Sequence, residues 1–151
     1  MTNEEYMSLA LDLAREAAEH GEVPVGCVIA DAAGRVIGRG RNRREELGDA
    51  TAHAEIEAID KACRALGGWR LWQCELFVTL EPCPMCAGAI INSRIKRVVF
   101  GAYDPKAGSC GSINNLFDFP YNHSPKIEGG FMQDECALLL KWFFSDLRKT
   151  K

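Results

Sequence analysis

Hydrophobic residues recur along much of the chain at a spacing of three or four, which is typical of helices with one buried face. This spacing predicts three helices and the residues that each should bury. They are Tyr6, Leu9, Leu13 and Ala17 in the first helix, Ile56, Ile59, Cys63 and Leu66 in the second, and Cys136, Leu139, Leu140, Phe143, Phe144 and Leu147 in the last. Pro84 suits the first position of a further helix, with Cys83 as its N-cap. Trp69, Trp72 and Trp142 are expected to pack within the fold.

Runs rich in valine and isoleucine predict strands between these helices. The candidate strands are EVPVGCVIA (22–30), RVIGRG (35–40), CELFVTL (74–80), IKRVVFGA (95–102) and KIEGGFM (126–132). The first two are joined by the short turn DAAG and should form a β-hairpin. Segments 42–50 and 103–125 are expected to be loops. Because strands alternate with helices, we predict an α/β fold, a three-layer α/β/α sandwich in which one central mixed sheet of about five strands has helices on both faces.

Length and composition bound the domain organisation and the location. A chain of 151 residues with 47% hydrophobic content predicts one domain over residues 1–151. Its apolar runs fall far short of the roughly 18 residues that a membrane span needs. The segment Met1–Asp12 lacks the basic and then apolar layout of a signal peptide. We therefore expect a cytoplasmic protein without a membrane partner.

The net charge alone argues against a nucleic-acid partner. It is −3, whereas phosphate binding depends on lysine and arginine. Local basic clusters could still bind phosphates, although such clusters are often ordinary solvated surface. The candidates are Arg41, Arg43 and Arg44, then Arg94, Lys96 and Arg97, then Lys106, and last Arg148, Lys149 and Lys151.

The chain has seven cysteines, which in a cytoplasmic protein are expected to be thiols or metal ligands rather than disulfides. Four of them fall in apolar helical or strand-like runs and should be small buried residues: Cys27, Cys63, Cys74 and Cys136. Cys110 lies in a glycine-rich loop and has no assigned role. Cys83 and Cys86 remain to be explained.

Four polar side chains stand at the starts of two predicted helices. His53 and Glu55 lie in the first turn of one helix, and Cys83 and Cys86 begin the other, one turn apart on the same face. His53, Cys83 and Cys86 supply three zinc ligands, and no other histidine or cysteine has a spacing that nominates it as a fourth. Three ligands predict an open catalytic site, because structural zinc sites are closed by four. Glu55 is placed to act as the general base that takes a proton from water.

The joint pattern H-x-E…P-C-x-x-C is the signature of the zinc deaminases. Beyond this motif, the chain resembles the bacterial tRNA-specific adenosine deaminases (TadA type), which belong to the cytidine deaminase-like superfamily, along nearly its whole length. The matching segments are EVPVGCVI, the loop at Asn42, TAHAEIEAI, WRL, VTLEPCPMCAGAIINSRIKRVVFGAYDPKAG, Asn122 with His123, and ECALLLKWFFSDLR. Several of them lie outside the metal motif, which favours this family over the wider superfamily.

The resemblance implies a homodimer with one zinc ion per chain, bound by His53, Cys83 and Cys86, and with Glu55 as the proton shuttle. It also implies that the partner is a tRNA anticodon stem-loop. The wobble adenosine would be flipped out of this loop and converted to inosine. Single-stranded loops are natural targets because their unstacked bases cost little to extrude.

Three further residues match family positions near the substrate. The resemblance implies that Asn42 hydrogen-bonds the target nucleoside, that Asp104 lies near its sugar, and that Phe144 helps to line the anticodon pocket. Asp104 fits equally well as a turn residue, and Phe144 fits as a member of the apolar stripe. Tyr103 and Pro105, on either side of Asp104, depart from the family pattern, which bears on RNA contacts and leaves the chemistry untouched.

Two other functions remain open from the sequence. A zinc deaminase acting on a free base, nucleoside or nucleotide, of the guanine or cytidine type, would share every metal and acid–base residue. The loop at Asn42, the last helix with Phe143 and Phe144, and its basic ending favour RNA. A non-catalytic, zinc-stabilised RNA-binding subunit would have no use for Glu55. Comparing free nucleosides with an anticodon stem-loop tests the first alternative, and zinc-dependent ammonia release would exclude the second.

Overall fold

A computed structural model describes residues 1–149 of the chain. The helices are α1 (Asn3–Glu19), α2 (Arg44–Leu47), α3 (Ala54–Leu66), α4 (Pro84–Ser93) and α5 (Gln133–Lys149), with a 3₁₀ turn at Leu116–Asp118. The strands are β1 (Gly26–Ala30), β2 (Val36–Arg41), β3 (Glu75–Leu80), β4 (Arg97–Ala102) and β5 (Lys126–Glu128). Lys151, which the sequence places in a basic cluster, lies outside the described residues.

The five strands form one mixed sheet in the order β2-β1-β3-β4-β5. Strand β1 is antiparallel to both β2 and β3, while β3, β4 and β5 run parallel to one another. Strands β2 and β3 therefore point in the same direction, although β1 separates them. The hairpin predicted from the DAAG turn is the β1–β2 pair, and the predicted mixed sheet of five strands is confirmed.

Strand alternation assigns the two faces of the sheet to two helix layers. One apolar cluster joins α1 and α5 to the sheet and includes Met7, Leu11, Val28, Phe77, Val99 and Cys136. The other joins α3 and α4 to the opposite face and includes Ile29, Ala58, Leu76, Val78, Ile90 and Val98. The three-layer α/β/α architecture predicted from the sequence is confirmed. None of the helices in residues 1–149 is both long and apolar enough to cross a bilayer.

The predicted buried face of α3 was wrong. The expected residues were Ile56, Ile59, Cys63 and Leu66, but the buried ones are Ala54, Glu55, Ala58 and Ala62. The reason lies in β2, where Gly38 and Gly40 allow the helix to approach the strand backbone. A Cβ atom on Gly40 would stand 2.1 Å from the carbonyl oxygen of Ala54. At this separation only alanine fits between helix and strand, and Ile59 and Cys63 are left half-buried at the margin.

Other expectations about burial also needed correction. In α1 the buried residues are Tyr6, Met7, Ala10, Leu11, Ala14 and Ala17, so Leu9 and Leu13 lie beside the buried stripe and not within it. In α5 only Cys136 and Phe143 are buried, whereas Phe144 and Leu147 are exposed. The tryptophans Trp69, Trp72 and Trp142 are more than half exposed and do not pack in the core of this chain. Segment 42–50, predicted as a loop, contains the short helix α2.

The caps and cysteines largely follow the predictions. Thr2 and Glu5 form the predicted capping box of α1. Cys83 is the N-cap of α4, and Pro84 begins that helix. Cys27, Cys74 and Cys136 are buried as expected, and Cys110 is buried as well, whereas Cys63 is only half-buried. No disulfide is present among the described cysteines.

Candidate active site

The candidate site lies where three strands end together. Because β2, β3 and β4 point in the same direction, their carboxyl ends lie at one edge of the sheet. Asn42 follows β2, Glu81 follows β3 and Tyr103 follows β4 at this edge. Helices α3 and α4 also begin there, so their positive amino-terminal ends point at the same region.

Three metal-ligating atoms meet at the starts of α3 and α4. His53 is the N-cap of α3, while Cys83 and Cys86 lie in the cap and first turn of α4. Nδ1 of His53 is 3.6 Å from Sγ of Cys83 and 3.5 Å from Sγ of Cys86. All three donor atoms lie within 4.8 Å of one another, and no other such group of three occurs within residues 1–149.

The spacing of these donors fits a zinc ion. With zinc–sulfur bonds of about 2.3 Å and zinc–nitrogen bonds of about 2.0–2.1 Å, tetrahedral geometry places sulfur and nitrogen about 3.6 Å apart. The two measured sulfur–nitrogen distances agree with this value. Two thiolates and one imidazole are ligands that zinc prefers, and three of them leave one coordination position open.

Hydrogen bonding between the three donor groups shifts their pKa values in different directions. Hydrogen bonding by Cys86, with help from His53, lowers the pKa of Cys83 to about 4, although burial acts in the opposite direction. The pKa of Cys86 is raised, because its thiol donates to Cys83 and is buried. The hydrogen bond with Cys83 also raises the pKa of His53. The Cys83 thiolate therefore accepts hydrogen bonds from Cys86 and His53. A metal cation bound by these three groups would displace the protons that they share.

Glu55 stands next to the donor atoms and lines the same cavity. It is only 4% exposed, because α3 packs closely on β2. Burial, with a smaller contribution from the Cys83 thiolate, raises the pKa of its carboxyl to about 7. A group with a pKa near neutrality can both accept and return a proton, which suits general acid–base catalysis.

A cavity of about 460 Å³ opens over these residues. This volume lies within the usual range of small-molecule sites. All three residues that the sequence nominated for substrate binding line the cavity, together with His53, Glu55 and Cys83: they are Asn42, Asp104 and Phe144. Two basic residues, Arg44 and Lys106, also line it. The structure thus brings the predicted site residues together in one place.

The geometry of Asn42 and Asp104 explains how they are held. The Asn42 side chain donates from Nδ2 to the carbonyl of Val23 at 3.3 Å, and its Oδ1 accepts from the Arg44 amide at 3.4 Å. Oδ1 of Asp104 accepts from the amides of Lys106 and Ala107, at 3.1 and 3.2 Å. Asp104 is therefore both a turn residue and a cavity residue. The two interpretations of this position do not conflict.

Phe144 belongs to the cavity and not to the core. It is 40% exposed and packs edge-to-face on the buried Phe143, with ring centroids 5.5 Å apart. The apolar stripe of α5 thus divides, since Phe143 faces the core while the next residue faces the cavity. The sequence pattern does not separate these two adjacent aromatic residues.

Glu81 is a site residue that the sequence analysis missed. Its carboxylate is buried and accepts hydrogen bonds from the amides of Asp104, Cys110 and Ser112 and from the Ser112 hydroxyl. The three amide distances are 2.9, 2.9 and 3.0 Å. Gly108 allows this arrangement, because a Cβ there would lie 2.2 Å from the carboxyl carbon. Glu81 therefore fixes the loop that carries Asp104.

A second buried carboxylate holds the loop that carries Asn42. Glu22 accepts from the amides of Glu45 and Glu46 at 3.1 and 2.7 Å, at the start of α2. Arg43 is ion-paired with Glu46 and Glu57, which ties the same loop to α3. In the sequence, the signal for both residues is a glutamate directly beside an apolar strand. A charged side chain that is buried at such a position needs hydrogen-bond partners.

Two residues of the long loop that had no predicted role have structural ones. The Nε2 atom of His123 is 2.7 Å from the carbonyl oxygen of Ile95, which ties the loop to the start of β4. Cys110 is buried, and burial raises the pKa of its thiol to about 12. Cys110 contributes to the site through its backbone amide, which donates to Glu81.

Comparison with known proteins agrees with this geometry. Residues 1–102 match the family model described as the cytidine and deoxycytidylate deaminase zinc-binding region. The tRNA-specific adenosine deaminase of Bacillus subtilis is 48% identical over 153 aligned positions, which cover 100% of this chain and 94% of the relative. The chain belongs to the tRNA-specific adenosine deaminase family. This family is one of the zinc-binding deaminases, the group whose family model matches residues 1–102.

Solved structures place this family member among the deaminases as well. A structure from work on A-to-I editing by tRNA:A34 deaminases at the wobble position of transfer RNA superposes with a TM-score of 0.87 at 48% identity. It covers 90% of this chain, which in turn spans 99% of that structure. A guanine deaminase from Nitrosomonas europaea superposes with a TM-score of 0.80 at 25% identity, covering 91% of this chain and 82% of its own. The tRNA-specific adenosine deaminases are thus the nearer of these two groups by sequence.

Proposed function

We propose that this chain hydrolyses adenosine to inosine at the wobble position of a tRNA anticodon loop. The observation that carries the proposal is that the His53, Cys83 and Cys86 cluster meets a cavity lined by His53, Cys83 and Glu55, in a chain of this family. The reaction consumes one water and releases one ammonia. It needs an activated water, a proton carrier and a pocket for an extruded base.

The proposed metal ligands are Nδ1 of His53 and the sulfurs of Cys83 and Cys86, with one zinc ion per chain. A zinc ion bound there would act as a Lewis acid that lowers the pKa of a water molecule. The two cysteine ligands gain from their position at the start of α4, because helix amino termini stabilise thiolates. The ligands are held on two helices that pack on the same face of the sheet.

Glu55 is the proposed catalytic residue that moves protons. Its carboxylate takes a proton from the attacking water and delivers it to the ring nitrogen of adenine. A second proton from the water then passes through Glu55 to the amino group, which leaves as ammonia. A pKa of about 7 is suited to both the uptake and the release of a proton at neutral pH.

Three residues are proposed to bind the nucleoside. The Asn42 amide is already oriented by its two backbone contacts, and it retains a donor hydrogen and a lone pair for the substrate. Oδ2 of Asp104 makes no hydrogen bond within residues 1–149, so it can accept one from a ribose hydroxyl. The exposed ring of Phe144 offers an apolar surface at the opening of the cavity.

The proposed partner is a tRNA anticodon stem-loop, in a homodimeric and cytoplasmic enzyme whose single domain spans residues 1–151. Arg44 and Lys106 at the cavity, and Arg148 and Lys149 at the end of α5, supply positive charge for phosphates in an acidic chain. Exposed aromatic side chains such as Trp69 suit a subunit interface.

The second candidate is a deaminase of free bases, and it is favoured by one observation. The guanine deaminase from Nitrosomonas europaea has a closely similar fold. Such an enzyme would use the same ligands and the same glutamate. A non-catalytic RNA-binding subunit is disfavoured, because a purely structural metal site gains nothing from the buried carboxylate of Glu55 beside it.

The test is a comparison of substrates with zinc-loaded protein. We expect inosine at one position of an anticodon stem-loop and no ammonia from free adenosine, guanine or cytidine. Glu55→Gln should retain zinc and RNA binding, while single-turnover formation of inosine falls by about 10² to 10⁴. Turnover of free guanine without turnover of the stem-loop would replace this function by the second candidate, and near-normal turnover by Glu55→Gln would refute the proton shuttle.

A further inference from the structure

An aromatic ring stands at the opening of the cavity, above the reactive groups. Tyr103 lines the cavity and is 46% exposed, whereas Glu55 on the floor is 4% exposed. The ring follows directly after β4, next to Asp104. Because Tyr103 is the exposed and Glu55 the buried residue of one cavity, the ring is placed to contact a nucleotide that precedes or follows a base bound at Glu55.

The Tyr103 ring is held in place from one side. It packs edge-to-face on the buried Phe100, with ring centroids 5.0 Å apart and planes at 86°. The turn after β5 closes against the same rings, since a Cβ on Gly129 would lie 2.7 Å from the Tyr103 hydroxyl and 2.4 Å from the Phe100 ring. A ring that is fixed before binding loses little conformational entropy when it makes a new contact. The exposed surface of the Tyr103 ring is therefore available for a contact with the substrate.

We propose that Tyr103 is a specificity-determining residue that stacks on the base adjacent to the target adenosine. This inference rests on the proposed function and extends it from the target base to its neighbour. Aromatic side chains bind unstacked bases through their π-faces, and larger purine rings offer more surface than pyrimidines. The hydroxyl of Tyr103 lies against the turn at Gly129, where an added Cβ would be 2.7 Å from it, so the ring and not the hydroxyl is assigned this role.

The test pairs protein variants with changes in the RNA, so that the contact itself is measured. The substrates are anticodon stem-loops that carry a purine, a pyrimidine or an abasic sugar on either side of the target. The proteins are wild type, Tyr103→Phe, Tyr103→Leu and Tyr103→Ala. Leucine keeps a hydrophobic contact with Phe100 but removes the π-face. Tyr121→Ala is the matched control, since Tyr121 is 54% exposed in the same long loop but does not line the cavity.

Loss of stacking should lower the sub-saturating single-turnover rate on the order of tenfold for Tyr103→Ala and Tyr103→Leu, when a purine is at one flanking position. The loss should nearly vanish when that position is abasic, because the partner of the ring is then already missing. Tyr103→Phe and Tyr121→Ala should stay close to wild type. An equal loss on abasic and purine loops, or a loss in Tyr103→Phe as large as in Tyr103→Ala, would overturn the proposal.

A binding measurement separates this proposal from the proposed function. With 2-aminopurine in the flanking position, stacking should quench its fluorescence when wild-type protein binds, and Tyr103→Ala should quench it clearly less. Tyr103-dependent quenching without any deamination by the wild type would keep the stacking contact and refute the proposed function. If the wild type deaminates the stem-loop but quenching is the same in wild type and Tyr103→Ala, the proposed function is kept and the stacking contact is refuted.

Discussion

The substitution Glu81→Gln tests whether one buried carboxylate positions the loop that carries Asp104. Glutamine has one acceptor oxygen where glutamate has two. Its best orientation keeps that oxygen toward the amides of Cys110 and Ser112, because the Ser112 hydroxyl can rotate to accept from the new amide group. The amide of Asp104 then loses its acceptor. The change should therefore act mainly on Asp104, which lines the cavity and is proposed to bind the ribose.

The magnitude follows from the number of donors left without a partner. One unsatisfied buried amide costs about 1–3 kcal/mol. For a chain of this length, each kcal/mol shifts the melting temperature by about 2–4 °C, which gives a fall of about 2 to 12 °C at a fixed zinc concentration. A loosened Asp104 should also raise KM for the stem-loop more than it lowers kcat, because the ligands and Glu55 are unchanged.

Thermal unfolding and steady-state kinetics on the same preparation check both effects. Ser112→Ala is the control, since it removes one hydroxyl donor and leaves the three amide contacts of Glu81 in place. It should cost about 1.5–3 kcal/mol, the range of a hydrogen bond to a charged group, but leave KM near that of the wild type, so KM separates the two variants. A Glu81→Gln protein with the melting temperature and KM of the wild type would refute the anchoring role of this carboxylate.

Three other predictions concern the metal, the helix packing and acid stability. Cys86→Ala should lose most of its zinc by elemental analysis while the far-ultraviolet circular dichroism stays native, and full occupancy would contradict the ligand assignment. Gly40→Ala should lower the free energy of unfolding, measured in urea, by about 1–3 kcal/mol or more, because its methyl group would collide with the Ala54 carbonyl. Gly68→Ala is the control and should show no such loss, because a methyl group there meets open space. Hydrogen bonding to Arg97 lowers the pKa of Glu128 below 4.5, so its stabilising effect is present above the unfolded-state pKa and is lost as pH falls through the folded value. The stability difference between wild type and Glu128→Gln should therefore be found at neutral pH and disappear in acid, below the lowered pKa of Glu128, and a difference independent of pH would contradict it.

The sequence was sufficient for every element except the short helix α2 and the 3₁₀ turn, and for the metal motif, because both depend on local spacing. Helix starts at Cys83 and His53 are marked by proline, cap residues and the change of period. The sequence predicted one mixed sheet of about five strands, but neither the order of the strands nor the edge that three of them share. The motif residues met where the pattern indicated.

What the sequence did not reveal depends on distances between segments that are far apart in the chain. Hydrophobicity alone could not show which face of α3 is buried. Glycines in β2 bring the helix so close to the strand that alanine and not isoleucine fits between them. Phe144 is more exposed than Phe143 because it faces the cavity, whereas Phe143 faces the core. Glu81 was not among the predicted site residues, because its four hydrogen-bond donors lie 23 to 31 residues further along the chain.

The end of β4 at Ala102 has an evolutionary consequence. The proposed zinc ligands and Glu55 all precede it, within the part of the chain that the general deaminase family model matches. Tyr103, Asp104 and Phe144 all follow it. Of the three residues proposed to bind the nucleoside, only Asn42 precedes this boundary. Recombination there would therefore exchange most of the proposed substrate contacts and keep the proposed metal ligands and Glu55. Such a swap would succeed only if the incoming segment offers Glu81 its amide donors.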